Sequence, residues 1–244
     1  MTVPPKGAAA AAAADDDAGP GSGAPTQRRY GNGLGDLVDD MRIRIADHDG
    51  DLAARYWRND DIDELVAARS AFFDGLIREV FEAKVPESAR GDIAVFAVGG
   101  YGRGELFPHS DIDLLIVARR PSRQQKVISD FLHCLIDLNQ ELGHSVRSLR
   151  DCKREAARDI TVATATFERR LLTGSTDLSR RLDKMLSSPR LWPAAAFFKA
   201  KRDEQDRRHR QYDNVEYGLE PNLKTSPGGL RDLQTAIWVM ARKF

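Results

Sequence analysis

The sequence predicts an α+β fold with a small central sheet, on three observations. Helical periodicity fills the stretch before residue 90. Short apolar, β-leaning runs follow at Ile93–Val98, Asp111–Val117 and His144–Leu149. A helical pattern then returns from Thr161 and continues to the end of the chain. Strands gathered in the middle with helices on either side make a segregated layout rather than a repeating βα alternation.

Bulk properties narrow the functional classes. The chain has 244 residues, enough for one sizeable domain or two small ones. Hydrophobic residues at 41% and charged residues at 30% fit a soluble globular protein rather than a disordered or membrane one. The 37 basic and 37 acidic side chains cancel, whereas general nucleic-acid binding needs a basic footprint, so no nucleic-acid partner is expected. Cys134 and Cys152 form no Cys-x-x-Cys pair and sit in no His cluster, which argues against a disulfide scaffold or structural zinc and fits a reducing cytoplasm. No run approaches the roughly 20 apolar residues of a spanning helix. The alanine run Ala8–Ala14 leads straight into Asp15, Asp16 and Asp17, unlike the h-region of a secretory signal. The expectation is a cytoplasmic protein with no membrane partner.

Residues 1–33 are rich in Ala, Gly, Pro and Asp and lack large apolar side chains to repay ordering, so a disordered tail is expected there. A helical segment over 34–90, a core over 91–160 and a second helical region over 161–244 complete the expected division. Leu37, Met41 and Ile45 lie about one turn apart. A second helix is predicted over Asp61–Ala83, with Leu65, Ala68, Phe72, Leu76, Val80 and Phe81 on one stripe, and Pro86 ends the helical region. The run Ile93–Val98 breaks into Gly99-Gly100-Tyr101-Gly102-Arg103-Gly104. After Pro108 comes the second strand, then a helix over Ser122–Leu142 and the third strand. Helices are predicted over Thr161–Thr173, Ser175–Leu186 and Pro193–Tyr212. The last stretch opens at Pro221-Asn222-Leu223-Lys224 and passes through Gly228-Gly229-Leu230 into a helix reaching Phe244.

The chemistry concentrates between Ala97 and Val117. Gly99 and Gly100 directly follow a strand, where glycine permits a sharp turn and close approach to a ligand. Successive amides there can cradle phosphate oxygens. A short helix starting at Gly102 and running to Leu106 would add its dipole, and Ser110 could donate a hydroxyl to the same phosphates. The segment lacks the Gly-Lys-Ser/Thr of a P-loop and the spacing of the dinucleotide fingerprint. Asp111 and Asp113 are two apart on an extended strand, so both carboxylates share one face while Ile112 and Leu114 take the other. Two converging carboxylates repel, and a divalent cation such as magnesium resolves this together with substrate phosphates. Each feature alone is weak. Together they set a phosphate cradle beside a metal site, as needed to hold a nucleoside triphosphate while a hydroxyl attacks its α-phosphorus.

Gly99-Gly100 with Ser110-Asp111-Ile112-Asp113 resembles the signature of the DNA-polymerase-β-type nucleotidyltransferase superfamily. The fuller string Gly-Gly-Tyr-Gly-Arg-Gly-Glu-Leu-x-Pro-x-Ser-Asp-Ile-Asp-Leu-Leu is similar to the bacterial PII-protein uridylyltransferases. So are Leu142-Gly-His-Ser-Val-Arg147, Asp159-Ile-Thr-Val-Ala-Thr164 and the stretch from Pro221 to Gln234. The resemblance spans about residues 60–244. It implies a nucleotidyltransferase fold with a small central mixed sheet, flanked by N-terminal and C-terminal helices. It further implies UMP transfer from UTP to a tyrosine of the PII nitrogen-regulatory protein, with release of pyrophosphate. Asp111 and Asp113 would be the catalytic, magnesium- or manganese-binding pair, and Gly99 and Gly100 would hold the triphosphate. Arg103, Ser110, Lys224 and Arg231 are further candidates for nucleotide contacts; Arg103 could equally pair with Glu105, and Arg231 with a surface acid. The superfamily adds a third carboxylate, for which Asp137 and Asp159 are candidates. The phosphohydrolase and ACT domains of such enzymes are not expected in this chain, which stops in mid-helix and is read as a partial version. Alternatives are transfer of another nucleotide such as AMP, another acceptor, or a regulatory domain that binds nucleotide or a partner without transferring anything.

Overall fold

The computed structural model describes residues 34–212 and 222–243. The expected tail over 1–33, together with Pro221 and Phe244, lies outside the described residues. The strands are β1 (Ile93–Ala97), β2 (Ile112–Ala118), β3 (Leu142–Arg147) and β4 (Arg170–Gly174). The helices are α1 (Leu34–Trp57), α2 (Ile62–Lys84), α3 (Glu87–Arg90), α4 (Gly99–Gly102), α5 (Pro121–Ile136), α6 (Leu149–Arg158), α7 (Ile160–Phe167), α8 (Thr176–Leu186), α9 (Ala194–Arg210) and α10 (Leu230–Lys243). The sheet runs in the order β3-β2-β1-β4. β1 pairs antiparallel with both β2 and β4, and β2 pairs parallel with β3 through the α5 crossover, so the sheet is mixed.

Strand alternation decides what each face buries. Ile93, Val95 and Ala97 of β1 and Ile112, Leu114 and Ile116 of β2 pack against Met41 of α1, Phe73 and Leu76 of α2 and Phe131 of α5. Ala94, Phe96, Leu115 and Val117 face the other way, onto Cys152 and Ala156 of α6, Ala163 of α7 and Leu178 and Leu182 of α8. With both faces covered, β1 and β2 read as nearly unbroken apolar runs. A smaller cluster of Ile160, Phe197 and Trp238 joins α7, α9 and α10. Cys134 and Cys152 are free and buried, and burial pushes the Cys152 thiol up to about 11. No helix among the described residues is long and apolar enough to cross a membrane.

Several expectations are corrected. The helix expected over Thr161–Thr173 ends at Phe167, and Arg170–Gly174 is instead the strand β4, registered on β1. Leu171 and Leu172 pack on opposite faces of the sheet, a two-sided apolar pair that periodicity cannot tell from a buried helix. The helix expected to run on to Leu142 stops at Ile136. Asn139 takes a left-handed φ of 57° in the turn that follows, and β3 then begins at Leu142, not His144. The stretch after β3 is helix α6, opened by a capping box in which Ser148 and Asp151 satisfy each other's backbone amides. The short helix expected over Gly102–Leu106 sits earlier, as α4.

Two polar networks fasten the helices around this sheet. Buried Asp74 of α2 accepts hydrogen bonds from Tyr101 Oη (2.8 Å) and from both terminal nitrogens of Arg170, and Arg170 Nη2 also donates to the Tyr101 carbonyl (3.2 Å). One carboxylate thereby joins α2, α4 and β4. At the C-terminal end Asp232 of α10 accepts from Arg208 of α9 (2.6 Å) and from the Gly228 amide (2.8 Å), with His209 Nε2 at 2.9 Å. Burial works against the Asp232 charge, but Arg208, the Gly228 amide and His209 outweigh it and hold this carboxyl at about 2.

Asp74→Ala would leave Tyr101 and Arg170 without their acceptor and is expected to cost about 3 kcal/mol. Chemical denaturation checks this, and a loss under about 1 kcal/mol would show the network to be idle. The Asp232 clamp predicts an acid limit. Its carboxyl is lower in the folded chain than the ordinary value near 4. Its stabilising contribution is therefore complete above about pH 4 and fades as pH falls towards 2, by an amount on the order of 1 kcal/mol. In Asp232→Asn that part of the acid dependence should vanish from the unfolding free energy measured between pH 5 and 2.

Candidate active site

Hydrogen bonding between strands and loops fixes the start of β2, where the acids lie. The Val98 amide donates to the Asp113 carbonyl (3.1 Å), tying the end of β1 to β2, and the Ile112 amide donates to the Glu141 carbonyl (2.8 Å), tying β2 to the entry of β3. Asp111 immediately precedes the strand, and Asp113 lies within it on the face shared with Leu115 and Val117. Ile112 and Leu114 enter the core on the opposite face, as the alternation requires.

Asp113 is exposed to solvent yet closely flanked. On one side is Gly99, in the left-handed region at φ 60°, where a Cβ would lie 3.9 Å from Asp113 Oδ2. On the other is Gly143 of β3, paired with Asp113 in register. A Cβ at Gly143 would lie 2.2 Å from Asp113 Oδ1, so glycine at this position leaves the carboxylate its room. Desolvation by these neighbours raises the Asp113 pKa from its ordinary value, the Asp111 charge raises it further, and Lys224 opposes both. Glu141 stands beside Asp111: a shared hydrogen bond with Asp111 and then its charge push Glu141 up, with His109 opposing. His109 itself holds a left-handed φ of 62°, uncommon for a non-glycine residue.

Gly99, Asp111, Asp113 and Lys224 are therefore brought together, with Gly100 next in the turn. The first amides of α4, at Gly99 and Gly100, have no acceptor within their own helix. Arg103 lies against the turn, its Nη2 3.6 Å from where a Cβ on Gly100 would stand, and its charge acts on Arg231. Arg103 is ion-paired to Glu105 (2.6 Å) and to Glu168 (2.7 Å). Arg231 stacks on the Trp238 ring at 5.5 Å, and the Trp238 indole N–H donates to Glu168 (2.5 Å). Burial lowers the Arg231 pKa, and the Arg103 charge adds to this. Ser110 is on the wall of a cavity that Glu141 also lines.

Neither expected third carboxylate reaches the pair. Asp137 caps the C-terminus of α5, and its carbonyl accepts from Arg42 (2.9 Å). Asp159 caps the N-terminus of α7, accepting from the Thr161 amide (2.7 Å). Sequence reasoning also missed Glu141 and Gly143. A glycine inside a strand marks close approach of another group, and starting β3 at Leu142 would have exposed that signal. Glu141 carries no such mark, because only the fold sets it beside Asp111.

Comparison with known proteins agrees with this geometry. Residues 76–172 match the nucleotidyltransferase domain family, and residues 196–244 match the family described as GlnD PII-uridylyltransferase. A bifunctional uridylyltransferase/uridylyl-removing enzyme of Azotobacter vinelandii is 46% identical over 195 residues, covering 79% of this chain and 22% of that protein. The enzyme of the same description from Methylococcus capsulatus is 40% identical over 222 residues, 90% of this chain and 25% of that one. The chain thus spans about a quarter or less of the length of these relatives. A solved toxin–antitoxin structure with AMP-PNP aligns over 59% of this chain and 98% of that one at 13% identity, with a TM-score of 0.29, a likeness too loose to bear on fold or function. Nucleotidyltransferase domains generally use divalent metal ions. The glycine turn and paired acids thus lie within the segment that matches the nucleotidyltransferase domain family, and over most of its length the chain is similar to bifunctional uridylyltransferase/uridylyl-removing enzymes.

Proposed function

We propose that this domain transfers UMP from UTP to a tyrosine hydroxyl of the PII protein, releasing pyrophosphate. The observation that carries the reading is the seat of Asp113, whose carboxylate is set between Gly99 and Gly143, next to Asp111 and within the field of Lys224. The donor set fits a hard cation: two carboxylates, with Asp113 raised by desolvation and then by the Asp111 charge, are oxygen ligands of the kind magnesium or manganese takes. Asp111 and Asp113 would hold the ion, which when bound neutralises triphosphate charge and acidifies an attacking hydroxyl. The amides of Gly99 and Gly100 approach the phosphates, and Lys224 supplies a positive charge for the leaving pyrophosphate. Ser110 is a candidate for a hydroxyl contact. Arg103 and Arg231 brace the glycine turn from behind, close enough to add positive potential. A UTP-consuming reaction belongs in the cytoplasm.

One observation favours a second reading, a domain that binds nucleotide without transferring it. Among the described residues no three His, Cys, Asp or Glu side chains form a group able to enclose an ion. Incubation with PII and α-labelled UTP or ATP separates the two readings. Label from UTP alone is expected; label from ATP alone refutes the uridylyl assignment, and saturable binding without label supports the second reading.

Asp111→Asn and Asp113→Asn are each expected to lower transfer by about a thousandfold or more, as loss of an electrostatic group at the reacting centre does, while circular dichroism and Tm stay near those of the parent. Unchanged transfer would remove the metal role. Gly143→Ala tests the seat itself. The clash falls on the end of a side chain, so the Asp113 carboxylate rather than the backbone moves, and transfer is expected to fall by about a hundredfold with the melting temperature little changed. Transfer within about threefold of the parent would show that the seat does not matter.

A further inference from the structure

A cavity of about 800 Å³ opens between α1, α2 and the loops that enter β2 and β3. Ser110 and Glu141, from the loops that enter β2 and β3, line one side of it, and its other walls are largely apolar side chains of α1 and α2. Buried Arg69 is among its lining residues, only 7% exposed, and its Nε has no hydrogen-bond partner. The outer lip carries Trp57, Tyr56 and Ile62, exposed by 81%, 56% and 50%. Large apolar side chains clustered in this way on a surface mark an interaction site.

Contacts order the neighbourhood from one side to the other. Gly99 lies against Asp113 on one side; on the other the Ile112 amide, between the two acids, is bonded to the Glu141 carbonyl (2.8 Å), and Glu141 and Ser110, the neighbour of Asp111, line the cavity. Displacement at phosphorus keeps the attacking and leaving oxygens in line. If the pyrophosphate leaves towards Lys224 and the glycine turn, the attacking hydroxyl arrives from the side where the cavity lies.

We infer that this cavity and its Trp57–Tyr56–Ile62 lip dock the acceptor protein, guiding the loop that bears the acceptor tyrosine to Asp111. The inference rests on the reading of the site as a UMP transferase. The occupant is a protein rather than the nucleotide base because the apolar surface continues outward onto the lip. A single planar base would leave that lip uncovered, whereas exposed Trp and Tyr are typical anchors of protein interfaces.

The test uses the full chain carrying Trp57→Ala or Ile62→Glu. Both positions are exposed, so the fold should persist, and Tm checks this. KM for PII is expected to rise about tenfold or more, the scale of an aromatic anchor, with KM for UTP within about twofold of the parent. A rise in KM for UTP alone would place the base in the cavity and overturn the proposal, as would two unchanged values. Binding of unmodified PII without nucleotide, followed by calorimetry, keeps this distinct from the transfer reading. Should the parent make no UMP-PII, the transferase reading fails. The docking surface then stands if the parent binds PII and the variants bind about tenfold more weakly, and falls if binding is equal or absent.

Discussion

Two like charges set side by side at the start of a strand are the constraint around which this molecule is arranged. Left to themselves, Asp111 and Asp113 would repel, and Glu141 adds a third acid against Asp111. A chain selected for stability alone would spread these acids or pair each with arginine. Here arginines are near but committed elsewhere: Arg103 to Glu105 and Glu168, and Arg170 to Asp74. The cation whose charge acts on Asp113 is Lys224, an exposed and long side chain able to move. Keeping the two acids together costs free energy that the surrounding core must offset.

That offset comes from how firmly the glycine turn is anchored. A turn with Gly99 and Gly100 has little intrinsic stiffness, yet it must present its amides at a fixed distance from Asp113. The next residue, Tyr101, supplies the stiffness. Its ring is 2% exposed and its hydroxyl is bound to Asp74, which Arg170 clamps from β4. Burial and the Asp74 charge push the Tyr101 phenol well above its ordinary pKa, so it stays a neutral donor. The flexible element is therefore kept short.

Local chemistry explains which parts of this were legible in the sequence. The face shared by Asp111 and Asp113 follows from period-two alternation alone, and the burial of Ile112 and Leu114 opposite them bears it out. β1 and β2 were visible because they are buried on both faces. β4 was not, since Arg170-Leu-Leu-Thr-Gly has no periodicity of its own and becomes a strand only by pairing with β1. Asp137 and Asp159 attracted attention as acids near the core; the Asp159 carboxylate is consumed in capping the start of α7, and Asp137 closes α5 through its backbone amide, bonded to the His133 carbonyl. Of the two missed site residues, Gly143 announced itself by composition once the strand was placed correctly, whereas Glu141 depended on a loop whose path no local rule dictates.

The sheet alone does not complete the site. Lys224 lies on a segment whose shape is set by α9 and α10: Arg208 donates to the Thr225 carbonyl (2.9 Å) and to Asp232, while Asp232 holds the Gly228 amide. On the same helix, Trp238 and Arg231 meet Glu168, the residue that also grips Arg103 behind the glycine turn. The C-terminal segment thus bears on this neighbourhood in two ways, through the Lys224 charge on Asp113 and through the Trp238 bond to Glu168. A shift of α10 relative to the sheet would move both together. In this architecture the region matching the uridylyltransferase family model carries the Lys224 charge that acts on Asp113, while the nucleotidyltransferase core carries the acids themselves.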